Sequence, residues 1–175
     1  MQESLFNKKY GKQTIFYLPD AYKSTYTNEL DEESMKDVVK CYFLSVQTPD
    51  LTWITTDFPS LAMIQIEKSK KLTSLNGIQG LSQLKNISIK SSCESLTDYS
   101  ALANPNLTSI SLDDVLADLP VLSENLENLS IQNCKNLKNL DFMANLKDDV
   151  RIVFRGLSAD LPLPSRFHNP TNLIK

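Results

Sequence analysis

The sequence predicts an α/β solenoid, in which short parallel strands stack along one side and irregular connections return along the other. Three observations lead to this fold. A pattern of Leu-x-x-apolar-x-apolar recurs along the chain at a nearly constant period. Its last two apolar residues stand two positions apart, which is the side-chain period of a strand with one buried face. The segments between the copies are too short for long helices, so irregular or 3₁₀ turns are expected there.

The repeats can be aligned on a middle apolar residue, which is followed two positions later by a second one. The middle residues are Ile64, Ile87, Ile110 and Leu129, separated by steps of 23, 23 and 19 residues. The second residues are Ile66, Ile89, Leu112 and Ile131. One more step of 23 in each direction reaches Cys41 with Phe43, and Ile152 with Phe154. Neighbouring strands are therefore expected at all six places, because repeats bury their apolar faces by stacking.

Two stretches of these repeats resemble a known family. Residues 72–89 read LTSLNGIQGLSQLKNISI and residues 96–112 read LTDYSALANPNLTSISL. Both are similar to repeats of the internalin-like bacterial leucine-rich repeat proteins, and the similarity covers roughly residues 61–140. Residues 116–126 also resemble the LP-rich repeats of bacterial type III effectors. The resemblance implies a right-handed curved leucine-rich repeat solenoid with a parallel concave sheet, whose concave face binds another protein.

Composition divides the chain into three parts. Residues 1–35 hold six of the 14 aromatic residues and are predicted to form an N-terminal flank that caps the first repeat. A secretion or docking segment is the alternative for this flank. The repeat domain is predicted to span residues 36–156. Residues 157–175 are predicted to form a C-terminal cap and tail, of which the part beyond Arg166 is expected to be dispensable.

The flank contains two predicted elements. Residues 14–18, TIFYL, are followed by Pro19 and read as a short strand. Asn28 is a candidate N-cap, and the apolar spacing after it predicts a helix through Lys40. Little other regular α-helix is expected.

The residues between the buried strand positions are predicted to face outward and to form the partner-binding surface. From the four central repeats they are Met63, Gln65, Glu67, Asn86, Ser88, Lys90, Ser109, Ser111, Asp113, Asn128, Ser130 and Gln132. Arg151, Val153 and Arg155 extend this surface at one end, and Tyr42 and Leu44 extend it at the other. The middle row is short and uncharged, so a partner could approach closely, while larger anchors stand at the ends. A solvated face with no partner is the alternative.

Each strand is followed by a turn, and three residues after the second apolar position stand Ser69, Ser92, Val115 and Cys134. A small hydrogen-bonding side chain there can satisfy backbone groups that the turn would otherwise bury unpaired. Val115 cannot do so, and an irregular turn is expected at residues 113–116. We interpret Cys134 as a structural thiol.

Several classes of function are disfavoured by composition. The net charge is −3 with acids and bases interleaved, whereas a nucleic-acid partner calls for a basic stripe. No run of about 18 apolar residues predicts a membrane span. The single histidine, His168, has no metal-ligand spacing with cysteines, and the four glycines form no phosphate loop. We therefore expect no enzyme activity, no cofactor and no metal.

The expected function is protein binding by a monomer. No apolar signal-peptide core is visible at the N-terminus, so the three cysteines are expected to be reduced. The expected location is the cytoplasm, or outside the producing cell without a cleaved signal. The protein could be a bacterial secreted effector that binds a host protein, or an immunity or regulatory protein that acts in the producing cell. An enzyme with an unrecognised site is a third alternative.

Overall fold

The computed structural model describes residues 10, 15–17, 25–26, 32–114, 117–156, 161, 165–167 and 173–174. These residues form one sheet of nine strands, two of them only two residues long. The strands are β1 (Ile15–Tyr17), β2 (Thr25–Tyr26), β3 (Lys40–Leu44), β4 (Met63–Glu67), β5 (Asn86–Ile89), β6 (Ser109–Asp113), β7 (Asn128–Gln132), β8 (Arg151–Arg155) and β9 (Leu173–Ile174). Their order in the sheet is β2-β1-β3-β4-β5-β6-β7-β8-β9.

The sheet is mostly parallel and alternates with short helices. β3 to β9 run parallel to one another, whereas β1 pairs antiparallel with both β2 and β3. The helices are α1 (Glu32–Met35), α2 (Ile54–Asp57) and the 3₁₀ turns η1 (Ile78–Gly80), η2 (Ser100–Ala103), η3 (Asp141–Met143) and η4 (Ser165–Phe167). This α/β arrangement is consistent with a leucine-rich-repeat-like solenoid, and the 3₁₀ turns η1 to η3 lie in connections where such turns were predicted.

The register of the sheet is the one that the repeat alignment predicts. Cys41, Ile64, Ile87, Ile110, Leu129 and Ile152 lie side by side across β3 to β8. The second apolar row, from Phe43 to Phe154, is aligned in the same way. Ile64, Ile87, Ile110 and Leu129 are at most 2% exposed, as expected. The shortened step of 19 residues therefore changes the connection between β6 and β7 and leaves their pairing intact.

Backbone hydrogen bonds repeat where the chain enters each strand. The carbonyls of Val39, Ala62, Lys85 and Thr108 each accept two amide donors from the following repeat, at 2.8 to 3.1 Å. The connections carry a second set, in which the carbonyls of Pro49 and Thr73 also accept two amides each. Adjacent repeats are thus joined by backbone bonds on both sides of the core. These bonds pair main-chain groups and do not involve the side chains that the sheet presents.

The core lies between the sheet and the connections. In the connection before β5, every third residue is buried, namely Leu72, Leu75, Ile78, Leu81 and Leu84. This period of three is the one that 3₁₀ turns place on one side of the chain. Gly77 allows the close packing of this connection, because a Cβ at its position would lie 2.0 Å from the Leu51 carbonyl oxygen. The apolar rows of neighbouring repeats form one continuous core.

The turns that follow the strands have a shared conformation. A residue with positive φ follows β3, β4, β6, β7 and β8 directly, and these residues are Ser45, Lys68, Asp114, Asn133 and Gly156. After β5 the positive φ comes later, at Ser92. Five of these six residues are not glycine, so each of those five turns stores strain of about 1–3 kcal/mol that the stacked repeats must offset.

Side chains in the turns satisfy buried backbone groups, as the sequence predicts for Ser69 and Cys134. Ser69 Oγ accepts a hydrogen bond from the Val46 amide at 2.9 Å and donates to the Glu67 carbonyl at 3.0 Å. Cys134 Sγ donates to the Gln132 carbonyl at 2.9 Å. Val115 lies outside the described residues.

The N-terminal end of the core is closed by aromatic rings. Phe16 of β1 stacks on Phe58 at 5.0 Å, and Phe43 meets Trp53 edge-on at 5.5 Å. Tyr10 joins this cluster and donates from its hydroxyl to Asp57 at 2.6 Å. The predicted strand at residues 14–18 is confirmed by β1, whose pairing with β3 brings Phe16 into the cluster.

The helical content differs from the prediction in two places. A helix through Lys40 was expected, but α1 ends at Met35, because the Val39 amide bonds to the Tyr17 carbonyl and Lys40 already belongs to β3. Helix α2 was not predicted. It ends before Phe58, whose conformation is restricted by the following Pro59.

The C-terminal end of the core includes Phe167, which the sequence analysis placed in the tail. The chain beyond Arg166 was expected to be dispensable, yet Phe167 is only 2% exposed and packs in the core. Arg166 Nη2 donates to the carbonyls of Met143 and Ala144 at 2.6 and 3.0 Å. Strand β9 then continues the sheet beside β8. The sequence analysis missed the burial of Phe167 because the repeat period ends at Phe154, and nothing periodic marks Phe167.

The register predicts a large difference between two neighbouring residues. Replacing buried Ile87 by Ala should lower the free energy of unfolding by about 2–5 kcal/mol, because it opens a cavity in the core. Ser88→Ala should change it by less than about 0.5 kcal/mol, because this side chain points away from the core. Urea denaturation of both variants measures the difference. Equal losses would contradict the register.

The C-terminal contacts predict that Phe167 contributes strongly to stability. Phe167→Ala should cost about 3–5 kcal/mol, as aromatic truncations in cores do. Ser165→Ala is the matched control, since Ser165 is exposed in the same turn. Urea denaturation checks both variants, and an unchanged midpoint for Phe167→Ala would show that the turn η4 does not cap the core.

Candidate functional site

The outward side of the sheet, called the sheet face below, presents three rows of side chains across β3 to β8. The first row is Lys40, Met63, Asn86, Ser109, Asn128 and Arg151. The middle row is Tyr42, Gln65, Ser88, Ser111, Ser130 and Val153. The third row contains Leu44, Glu67, Asp113, Gln132 and Arg155. The structure thus brings all but one of the sequence-predicted surface residues together on β3 to β8.

Lys90 is the exception among the predicted residues. β5 ends at Ile89, so Lys90 follows the strand, although its amide still bonds to the Ile66 carbonyl at 2.8 Å. The residue with positive φ after β5 is Ser92, three positions beyond Ile89. Lys90 is half-buried beside the third row.

The middle row is more covered than the sequence predicts. Gln65, Ser88, Ser111 and Ser130 were expected to be exposed, but all four are half-buried. Strands about 4.8 Å apart let neighbouring side chains cover one another, and short side chains are covered most. Gln132, for example, donates from Nε2 to Ser130 Oγ at 3.1 Å. The centre of the sheet face is therefore a low, neutral and polar floor.

Apolar and aromatic side chains gather at the β1 end of the sheet face. Tyr17 and Tyr42 meet edge-on at 5.4 Å, and Lys40 Nζ lies 4.9 Å from each ring centroid. We call the aromatic patch the set of half-buried side chains at this end, which are Ile15, Tyr17, Tyr42, Leu44 and Met63. Sequence reasoning placed Tyr42, Leu44 and Met63 on this surface but missed Ile15 and Tyr17. Residues 14–18 were predicted to form a strand, but β1 precedes the repeats, and the surface residues were chosen only from strand positions within the repeats.

Charges are distributed unevenly on the sheet face. Glu67 pairs with Lys68 at 3.3 Å, and Asp113 accepts a hydrogen bond from Asn133 Nδ2 at 2.8 Å. Arg151 and Arg155 are exposed on β8, and neither forms a salt bridge with another described residue. The side chains on this face that lack a partner of opposite charge are therefore mainly cationic, although the whole chain has a net charge of −3.

We found no match to this chain among protein-family models, curated proteins or solved structures. The site is therefore interpreted from its own residues.

A separate groove lies at the edge of the sheet where the chain enters the strands β5 to β8. It has a volume of about 520 Å³, and its lining includes Lys85, Asn106, Glu124, Glu127, Lys147 and Asp149. Sequence reasoning did not find this groove, because its residues come from the turns rather than from the repeating strand positions. The lining carries charges of both signs and is open to solvent, so it favours no particular ligand.

The titratable groups with shifted pKa values lie away from the sheet face. Burial raises the pKa of the Cys41 thiol well above its usual value, and burial also raises the pKa of Cys93. Burial and the bond to Asp57 raise the pKa of Tyr10. Hydrogen bonds from Ser74 and Ser100 lower the pKa of Asp98, which joins two connections. These shifts follow from structural contacts.

The described part of the chain also offers no metal site or membrane helix. None of its His, Cys, Asp and Glu side chains form a group of three that could hold a metal ion. None of its helices has both the length and the hydropathy to span a bilayer. The sheet face is the extended surface that these residues present. Its side chains are held by the strands, so it is suited to non-covalent contact over a large area.

The buried cysteines predict slow thiol chemistry in the folded protein. The thiolate is the reactive form, and a raised pKa together with burial keeps Cys41 and Cys93 protonated and inaccessible at neutral pH. Iodoacetamide should therefore leave all three cysteines unmodified in the native protein and label all three in urea, as measured by mass spectrometry. Rapid native labelling of Cys93 would contradict the raised pKa and the burial.

Proposed function

We propose that this protein is a non-enzymatic protein-interaction module that binds a partner protein through the sheet face. In this proposal the chain is a monomeric leucine-rich repeat solenoid of right-handed curvature, and the sheet face is its concave surface. The observation that carries the proposal is the alignment of β3 to β8, which places three rows of side chains on one surface. Stacked repeats commonly use such extended surfaces for binding.

The distribution of side chains on the sheet face supports this function. The middle row is small and neutral from Ser88 to Ser130, so a partner can approach the backbone closely. Larger residues of the kinds that dominate binding energies, Tyr and Arg, stand at the two ends. The strands hold these side chains in place before binding, so a partner is expected to dock with little rearrangement of the chain.

The biological setting has two versions. In the first, the protein is a bacterial effector that reaches a host cell without a cleaved signal peptide. In the second, it is a cytosolic immunity or regulatory protein that binds a partner in the producing cell. Genes for a secretion apparatus or chaperone beside its own gene would favour the first version, and an adjacent toxin gene would favour the second.

The proposal predicts that enlarging the centre of the sheet face blocks binding. Ser88→Arg combined with Ser111→Arg should abolish capture of the partner, because two long side chains would rise from the low floor. Ser88→Ala with Ser111→Ala should weaken binding little, since each removes at most one hydrogen bond of about 0.5–1.5 kcal/mol. Affinity purification from host and own-cell lysates, followed by mass spectrometry, measures which proteins are lost.

A control of equal charge separates steric blocking from a general charge effect. Ser82→Arg with Gln83→Arg adds the same two charges on an exposed connection. Circular dichroism and urea denaturation should show that both arginine pairs remain folded. Loss of the partner in the Ser82 and Gln83 pair, with full retention in the Ser88 and Ser111 pair, would place the binding surface on the connections instead.

A further inference from the structure

We infer that the sheet face takes an acidic segment of another protein, which sets an apolar side chain on the aromatic patch and carboxylates on Arg151 and Arg155. The inference rests on the proposed function, because it assigns the chemistry of the partner at the same surface. It goes further in that it names the two ends of the face as the places where the partner is held.

The aromatic patch supplies the apolar contact. Tyr17 and Tyr42 are half-buried, and their rings meet edge-on on adjacent strands, so their positions are fixed before binding. Tyrosine gives a large contact area at low conformational cost and is enriched among the residues that dominate interfaces. Ile15 lies beside Tyr42 in the sheet, and Met63 lies beside Lys40. An apolar side chain of the partner would cover surface that water now contacts.

Lys40 adds a cation to the aromatic patch. Its Nζ lies 4.9 Å from the centroids of Tyr17 and Tyr42, where cation–π attraction favours the ammonium. This contact holds the charge close to the sheet rather than extended into solvent. A partner residue next to the apolar one would therefore meet a fixed positive charge, and a carboxylate is the group that complements it.

The opposite end of the sheet face presents two more cations. Arg151 and Arg155 project from the same side of β8, one in the first row and one in the third. Both are exposed, and no described carboxylate lies within salt-bridge distance of either. Arginine binds carboxylates through two parallel N–H donors, so each residue offers a directional site for an Asp or Glu side chain.

The two ends are separated by five strand spacings, from β3 to β8. At about 4.8 Å per spacing the separation is about 24 Å, which an α-helix covers in about 16 residues. The short side chains of the middle row leave room for such a segment to lie across the strands. The span explains why one partner segment, rather than two unrelated ligands, can engage both ends.

The distribution of charge favours an acidic protein segment over nucleic acid. Cations occur at both ends of the sheet face, and the middle row from Gln65 to Ser130 between them is neutral, whereas a phosphate backbone needs positive charge along its length. Glu67 and Asp113 also lie in the third row, where they would repel a phosphate backbone that is charged at every nucleotide, whereas a polypeptide can place neutral residues beside them. A polypeptide can place its carboxylates at the two ends and small or polar residues between them.

The test uses a random library of 20-residue peptides displayed on phage and selected on the full chain. We expect the selected peptides to combine an apolar or aromatic residue with an excess of Asp and Glu. A synthetic copy of a selected peptide, followed by fluorescence anisotropy, should bind the Arg151→Glu, Arg155→Glu variant about ten-fold or more weakly. Tyr42→Ala should weaken it comparably, and added salt should weaken wild-type binding.

The control variant is Lys71→Glu with Lys138→Glu, which makes the same charge change at exposed lysines of the connections. It should bind the peptide like wild type. Arg151→Gln with Arg155→Gln gives a milder version of the test if the glutamate pair does not fold. The inference would be overturned if no peptide binds, or if the selected peptides are not enriched in Asp and Glu. It would also be overturned if the double variants at Arg151 and Arg155 bind the peptide as tightly as wild type does.

Two further outcomes separate this inference from the proposed function. If Ser88→Arg with Ser111→Arg blocks the peptide while the Arg151 and Arg155 variants bind it normally, the sheet face binds proteins but the acidic assignment is wrong. If only the Lys71 and Lys138 variant loses the peptide, both the face and the assignment are wrong. Binding of a 20-nucleotide oligouridine that depends on Arg151 and Arg155 would overturn the inference in favour of RNA.

Discussion

Pairing of each repeat with the next is the constraint on which the rest of the structure depends. A single repeat has one apolar side and cannot bury it alone. The double-acceptor carbonyls at Val39, Ala62, Lys85 and Thr108 join each repeat to its neighbour, and the buried rows of β3 to β8 lie side by side in the same register. A slip of one residue would turn Ile87 outward and Ser88 inward, so the core and the sheet face depend on the same register.

The periodic part of the fold could be predicted from sequence, and the ends could not. Ile64, Ile87, Ile110 and Leu129 share a spacing that alternates with polar residues, so their pairing was readable directly. One end is closed by Phe16, which packs with Trp53 and Phe58 of the first connection, and the other end is closed by Phe167. Phe16 and Phe167 lie outside the repeats, and no periodic spacing marks their contacts. Predicting a helix through Lys40 failed for the same reason, because tertiary pairing with β1 decided the conformation of Val39.

The candidate site divides in a similar way. The middle row and the two arginines followed from the register, because side chains alternate along a strand. The contribution of β1 could not be predicted from the repeat register. This antiparallel strand precedes the repeats and adds Ile15 and Tyr17 to the surface. Solvent accessibility was also overestimated, because periodicity tells which way a side chain points and not how much its neighbours on adjacent strands cover it.

The even spacing between paired strands has a consequence for how the chain folds. From β3 to β8 each strand pairs with the next at a separation of 19 or 23 residues. The entropy lost in closing a loop depends only weakly on its length, so every added strand costs nearly the same closure entropy. Folding can start at any adjacent pair and extend in both directions. The time to fold is then set by one repeated local step rather than by the length of the whole chain.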